Sequence, residues 1–164
     1  MNLFLWGALP YIAFTFLIVG TLVRFFYFER NWTTKSSQFL EKKQLRIANP
    51  LFHFGLLCVI GGHVVGVLIP KTWTAAIGIN DHMYHQGALY MGAVAGLIFI
   101  VGFLLLMKRR FTVAELKVNT SRLDKWLYLF LTLAIFSGMA GTLLNASGFF
   151  DYRVSIGPWF RSLL

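Results

Sequence analysis

Residues 49–70 read NPLFHFGLLCVIGGHVVGVLIP, an apolar run that contains two histidines. A membrane-crossing helix needs about 20 mostly apolar residues, and this run is long enough. Asn49 is a favoured N-cap residue, Pro50 is favoured at the first helical position, and Pro70 suits the position after a helix end. The stretch therefore predicts a transmembrane helix over about residues 50–69.

Three further apolar runs of similar length occupy about residues 3–23, 86–107 and 126–146. The composition agrees, since 57% of the residues are hydrophobic and 13% are charged, against about 25% charged residues in typical soluble domains. We predict an all-α fold, an integral membrane helical bundle of four transmembrane helices that forms a single membrane domain over residues 1–164. Because Arg24 follows the first run directly, that run is predicted to be a retained signal anchor.

Positive charge decides the predicted topology. The fifteen Lys and Arg residues all lie in the loops 24–49 and 108–125, except for Lys71, Arg153 and Arg161. By the positive-inside rule both loops are cytoplasmic and the N-terminus is outside, in a multi-pass protein of the plasma (cell inner) membrane. The net charge of +9 lies between apolar runs, where it meets the headgroups of membrane lipids, so we expect no nucleic-acid partner.

Two parts of these loops have alternative interpretations. Residues 31–49 mix polar and apolar side chains, which suits either a short helix at the membrane interface or a docking surface for a soluble partner. The cluster Lys108-Arg109-Arg110 is interpreted first as a lipid-headgroup contact and alternatively as a contact with a partner subunit.

Small residues predict where the helices meet, because close backbone approach drives helix association in lipid. Pairs of small residues four positions apart occur in the second, third and fourth runs: Gly62 and Gly66, Gly92 and Gly96, Ser137 and Gly141. We therefore expect these three spans to form one tight cluster.

The two histidines of the second run, His53 and His63, are the candidate functional residues, since ionisable side chains inside a membrane are costly and tend to be functional. Ten residues of helix separate them by about 15 Å and leave them about 80° apart around the axis. Neutral imidazole is a good axial ligand for haem iron, and Gly55, Gly61, Gly62 and Gly66 leave room for a porphyrin. The alternative is two core histidines hydrogen-bonded to carbonyls of neighbouring helices.

Several short motifs carry a family resemblance that covers nearly the whole chain. They are Ser36-Ser37-Gln38-Phe39-Leu40-Glu41-Lys42-Lys43, Asn49-Pro50-Leu51-Phe52-His53-Phe54-Gly55, Gly62-His63, Gly66 to Pro70, and Leu105-Leu106-Met107-Lys108-Arg109-Arg110. Together they resemble the gamma subunit of respiratory nitrate reductase. That subunit is a membrane di-haem cytochrome b that oxidises quinol and passes electrons to an iron–sulfur (beta) subunit and a molybdenum catalytic (alpha) subunit.

The resemblance implies roles for individual residues. His53 corresponds to an axial ligand of the haem iron nearer the cytoplasm and His63 to that of the outer haem, while Gly62 and His63 correspond to the region of quinol oxidation. We expect two b-type haems in the complete protein. Family members carry the second axial ligands on a fifth span, so we expect this chain to be truncated at Leu164, to hold haem poorly and to be inactive alone.

His82 and His85 are placed in the outer loop before the third span. Two ligands make a poor metal site, so both are interpreted first as solvated interface residues. Alternatively, His85 lies near the outer quinol pocket and accepts a proton from quinol.

Other functions are compatible with the same pattern. They are the cytochrome b subunit of a sulfur-compound or heterodisulfide reductase, a haem-free membrane anchor, and a transporter. The terminal electron acceptor distinguishes the first and a b-type absorption band distinguishes the second. A transporter is disfavoured because carboxylates are lacking within the predicted spans.

Overall fold

A computed structural model describes residues 2–28, 39–149 and 151–163, which form helices and their connections without a strand. The helices are α1 (Phe4–Tyr27), α2 (Lys43–Leu68), α3 (Lys71–Ala76), α4 (Asp81–Thr112), α5 (Ala114–Val118), α6 (Arg122–Ala146) and α7 (Ile156–Arg161). Within the described ranges four of them, α1, α2, α4 and α6, are long and apolar enough to cross a membrane. The predicted all-α membrane fold is confirmed.

The contacts divide the chain into two units, of which α1 belongs to the first and α2 to α7 belong to the second. Helix α1 opens with a π-helical turn over Phe4–Ala8, and Pro10 lies at the start of its α-helical part, where a missing N–H costs little. The helix continues past Arg24, which lies in its last turn. The single domain over residues 1–164 stays a prediction.

Helices α2 and α4 pack with their backbones in contact. A Cβ atom added at Gly55 would lie 2.5 Å from the backbone nitrogen of Phe99, and one added at Gly102 would collide with the backbone of Phe52. The Phe52 ring lies 5.2 Å from the Phe99 ring and 6.5 Å from the Phe103 ring. The two glycines let aromatic side chains fill the space on either side of the crossing.

The predicted small-residue contacts are wrong at Gly62, Gly92 and Gly141, where an added Cβ atom would meet nothing within 4 Å. Gly66 faces the ring of Tyr152, and a Cβ atom at Gly96 would lie 3.9 Å from Sδ of Met139 on α6, as predicted for a contact between these two spans. Helix α6 contacts α4 through side chains, with the Tyr128 and Phe103 rings 6.3 Å apart. A pair of small residues makes a groove, but the groove matters only where a partner backbone crosses it.

The start of α2 also differs from the prediction. The helix begins at Lys43 rather than at Pro50, and Pro50 lies inside it, so Asn49 is not its N-cap. The Glu41 carboxylate accepts a hydrogen bond from the Gln44 backbone N–H at 2.8 Å, which satisfies a free donor of the first turn. Of the loop over residues 31–49 that was predicted to lie at the interface, residues 43–49 belong to α2 and residues 31–38 lie outside the described part.

Two basic side chains of the Lys108-Arg109-Arg110 cluster are used inside the chain. Arg109 is 3% exposed, and it donates to the Glu41 carboxylate through Nε at 2.7 Å and to the Glu41 carbonyl through Nη2 at 2.6 Å. Arg110 donates to the Asp124 carboxylate at 2.7 Å. The prediction that the whole cluster contacts headgroups or a partner is therefore wrong for Arg109, because its guanidinium fixes the segment entering α2. Lys108 stays exposed.

Acid is expected to weaken the Glu41–Arg109 pair. The Gln44 backbone N–H and the Arg109 guanidinium hold the pKa of Glu41 below its ordinary 4.5. With a lowered folded-state pKa, the stabilisation is present above about pH 4.5 and is lost as the pH falls through the folded-state value. In thermal unfolding series from about pH 7 to about pH 3, the Tm of the wild type should fall more steeply than that of Glu41→Gln.

A matched control for this series is Glu115→Gln, which changes an exposed carboxylate on α5. Its Tm should follow the wild-type pH dependence. Parallel pH profiles for the wild type and Glu41→Gln would show that the pair does not stabilise the fold.

Candidate functional site

His53 and His63 lie on one continuous stretch of α-helix, because α2 is α-helical from Lys43 to His63 and changes to a π-helical turn only at Val64–Leu68. Ten residues along such a helix correspond to a rise of about 15 Å and a rotation that leaves the two side chains about 80° apart. Both side chains are exposed. The helix therefore presents two imidazoles on one flank at two levels.

Each imidazole is held by a carbonyl of its own helix. Nδ1 of His53 lies 2.9 Å from the Asn49 carbonyl oxygen, and Nδ1 of His63 lies 2.7 Å from the Val59 carbonyl oxygen. Since a carbonyl oxygen can only accept, Nδ1 carries the proton and the lone pair of each neutral ring is on Nε2. Metal-bound histidines typically hold their second nitrogen in this way, which orients the ring. The geometry suits axial ligation of an iron by Nε2.

The alternative of two core histidines bonded to neighbouring helices is wrong for this structure. Both rings are exposed, and both donate to the residue four positions earlier in the same helix. The His53 ring also contacts its neighbour Phe52 edge to face, at 5.2 Å between ring centroids.

The space around the two imidazoles differs. A Cβ atom at Gly61 or Gly62 would meet nothing within 4 Å, so the surface beside His63 is open. Gly55 is covered by the backbone of Phe99 and Gly66 by the ring of Tyr152. The prediction that all four glycines make room for a porphyrin is therefore wrong for Gly55 and Gly66, which serve packing instead. Of the four glycines, only Gly61 and Gly62 leave the helix surface beside His63 uncovered.

His82 and His85 do not lie in a loop. Asn80 caps α4 by accepting a hydrogen bond from the Met83 backbone N–H at 2.8 Å, so the helix begins at Asp81 and both histidines lie in its first two turns. His82 is exposed and His85 is half-buried. Among the described residues no three His, Cys, Asp or Glu side chains form a group that could hold a metal ion.

A comparison of the sequence with known proteins identifies its family. Residues 2–164 match the family model described as nitrate reductase gamma subunit. The chain belongs to this family. It is 44% identical to the nitrate reductase gamma chain of Bacillus subtilis over 161 residues, which cover 98% of this chain and 72% of that one.

Two other relatives of this gamma-family chain are longer. The nitrate reductase-like protein NarX of Mycobacterium tuberculosis is 40% identical over 96% of this chain and 25% of its own length. The respiratory nitrate reductase 1 gamma chain of Escherichia coli is 31% identical over 76% of this chain and 55% of its own length. The chain thus spans only part of each of these proteins.

A polar network in this gamma-family chain lies beyond the His63 end of α2. Arg153 is 7% exposed and donates to Asp81 at 3.2 Å and to the Thr74 hydroxyl at 2.9 Å. Its guanidinium carbon lies 3.7 Å from the centre of the Tyr84 ring. The Lys71 ammonium group lies 3.3 Å from the Asp81 carboxylate. It also pairs with a carboxylate in the segment after α6, so it links that segment to α4. The segment that follows α6 is therefore tied to α3 and α4.

The same segment closes the end of α2. Tyr152 lies against Gly66, and burial raises the pKa of its hydroxyl. Arg161 donates to the Val67 carbonyl at 2.7 Å, at the π-helical turn where α2 ends. The sequence alone places Arg153 and Arg161 only outside the two basic loops, 24–49 and 108–125. No local signal could find their partners, because these lie 72 to 94 residues away along the chain.

Proposed function

We propose that this chain is the membrane di-haem cytochrome b subunit of a quinol-dependent respiratory nitrate reductase. In this proposal it oxidises quinol and passes electrons to the iron–sulfur and molybdenum subunits. The family membership supports the assignment to such a complex. The observation that carries the haem assignment is the pair of exposed imidazoles on α2, each with Nδ1 bonded to its own helix and Nε2 left as a ligand atom.

His53 and His63 would each hold one haem iron through Nε2, at two depths of the membrane. Haem supplies one-electron transfer, and the protein supplies binding and orientation. The carbonyls of Asn49 and Val59 fix the two ring planes and increase the basicity of Nε2.

Quinol would bind beside Gly62 and His63, where the helix surface is open. The haems held by His63 and His53 would supply one-electron transfer from the outer level of α2 to the inner one, and the protons of quinol would be released on the outer side. His85 is the proposed proton acceptor, because a neutral imidazole has a nitrogen that can accept a proton and this ring lies half-buried near the start of α4. Moving one charge against 100 mV stores about 2.3 kcal/mol, so this arrangement conserves energy.

The proposed orientation is that of the positive-inside rule, in the plasma membrane. The N-terminus lies outside. The start of α2, the end of α4 and the start of α6, near which Glu41, Arg109 and Asp124 lie, are on the cytoplasmic side. The electron-accepting subunits would dock at this cytoplasmic end.

The test uses membranes that contain the native complex. Adding a reduced quinol analogue without nitrate should produce the absorption band of reduced b-type haem, and adding nitrate should remove it. Reoxidation by a sulfur compound or a heterodisulfide but not by nitrate would assign the chain to a different reductase. No quinol-dependent reduction would contradict the proposal.

A further inference from the structure

The turn that follows His63 departs from α-helical geometry. Helix α2 changes there to a π-helical turn over Val64–Leu68, and the backbone becomes extended at Ile69. The turn consists of three valines, a glycine and a leucine, and valine and glycine both favour a helix less than straight-chain residues do. Turns of this kind are rare and are frequent at functional sites. The local sequence gives this turn little stability, so contacts from outside α2 have to hold it.

One such contact comes from the last turn of α7. Arg161 lies in that turn and donates through Nη1 to the Val67 carbonyl oxygen at 2.7 Å. The last carbonyls of a helix have no partner within the helix, and a cation near the C-terminal end interacts favourably with the helix dipole. Arg161 therefore caps α2 at its π-helical turn.

Two buried glycines let the neighbouring segment approach this turn. A Cβ atom added at Gly66 would lie 3.1 Å from the ring of Tyr152. One added at Gly157 would lie 3.1 Å from Nη1 of Arg161 and 3.7 Å from the Val67 carbonyl oxygen. The Gly157 backbone N–H also donates to the Tyr152 carbonyl at 2.7 Å. Tyr152, Gly157 and Arg161 thus form one close-packed cap on the π-helical turn.

The cap is anchored to helices other than α2. Arg153, which follows Tyr152 in the chain, is 7% exposed and donates to Asp81 on α4 and to Thr74 on α3. The position of the cap is therefore set by α3 and α4, and the end of α2 is held against it.

We propose that Arg161 is a positioning residue for His63, because it holds the turn that begins directly after this histidine. The inference rests on the proposed role of His63 as a haem ligand. Nδ1 of His63 lies 2.7 Å from the Val59 carbonyl oxygen, so the ring moves with the backbone of its helix. Without the Arg161 contact the turn can relax to α-helical hydrogen bonding, which shifts the backbone beside His63 and tilts the imidazole. His53 lies ten residues earlier, where Gly55 packs on α4, and should not move.

Redox titration of the purified native complex tests this role. Arg161→Met keeps a long side chain but removes the charge and every hydrogen-bond donor. We expect it to shift the midpoint potential of one b-type haem, the one that His63→Ala removes, and to leave the other unchanged. Reduction of the haems by a quinol analogue should slow by up to about 100-fold, the effect of a misplacement of about 1 Å. Arg161→Lys retains a cationic donor and should restore most of the wild-type behaviour.

Two further variants separate positioning from general damage. Arg122→Met removes an exposed guanidinium at the start of α6 and should leave both potentials unchanged. Gly157→Ala keeps Arg161 but places a methyl group against its guanidinium, so it should shift the same haem by a smaller amount. This milder variant decides the question if Arg161→Met does not assemble.

Hydrogen exchange gives a readout that does not involve haem. Backbone amides of residues 64–69 should exchange faster in Arg161→Met than in the wild type, whereas those of residues 50–60 should not change. Two haems with unchanged potentials in Arg161→Met and Gly157→Ala would overturn this inference alone, as would unchanged exchange at residues 64–69. Equal shifts of both haems would indicate general loss of structure and would also overturn it. A wild-type complex without haem would overturn the proposed function together with this inference.

Discussion

His63→Ala is expected to remove one of two b-type haems and to abolish quinol oxidation, because His63 is the proposed ligand of the outer iron and lies beside the proposed quinol site. His53→Ala should also lose one haem but keep quinol binding, since its side chain lies about 15 Å farther along α2. Each variant should therefore contain about half the wild-type haem, and the two should differ in quinol binding. Haem content by absorbance and binding of a quinol analogue measure the two effects.

His82→Ala is the matched control, because it removes an exposed imidazole near the start of α4. It should keep full haem content and quinol-dependent activity. Full haem content in both His53→Ala and His63→Ala would refute the ligand assignment, provided that both variants elute as the folded wild-type complex does.

Gly102→Ala is expected to destabilise the packing of α2 on α4 by about 1–3 kcal/mol, the usual cost of forcing an extra methyl group into a filled space. The added carbon would collide with the backbone of Phe52, which cannot move away as the end of a flexible side chain can. Part of this cost is offset by the better helix propensity of Ala, worth about 1 kcal/mol. Denaturant unfolding in detergent micelles measures the difference.

The same substitution at Gly92 provides the control within α4. A Cβ atom there would meet nothing within 4 Å, so Gly92→Ala should leave stability unchanged or raise it by up to about 1 kcal/mol. Equal unfolding midpoints for Gly92→Ala and Gly102→Ala would contradict the close contact between the two helices.

The membrane helices could be predicted from the sequence because length and hydropathy are local properties. The end of α6 is such a case, since Gly148 adopts φ +74 just after it. The start of α2 could not be predicted in this way. Glu41 satisfies its first turn and is itself fixed by Arg109, a residue 68 positions away, so a local signal at Asn49 and Pro50 was overridden.

Part of the candidate site could also be predicted from the sequence. Helical periodicity alone predicts two imidazoles on one flank of α2, and the structure has His53 and His63 there. The structural role of Gly55 could not be predicted from the sequence, because a glycine suits a helix crossing and a cofactor pocket equally well. Only the approach of Phe99 to Gly55 decides between them. The network of Arg153 with Asp81 and Thr74 likewise depends on contacts between distant segments.

The most direct test of the di-haem assignment is the haem content of the wild-type protein purified from its native membrane with its partner subunits. The pyridine haemochrome spectrum, calibrated against the amount of this chain, gives the number of b-type haems per copy. Two ligand histidines at two levels of α2 predict two haems per copy. A haem-free preparation with intact partner subunits would contradict the assignment and leave the chain as a membrane anchor.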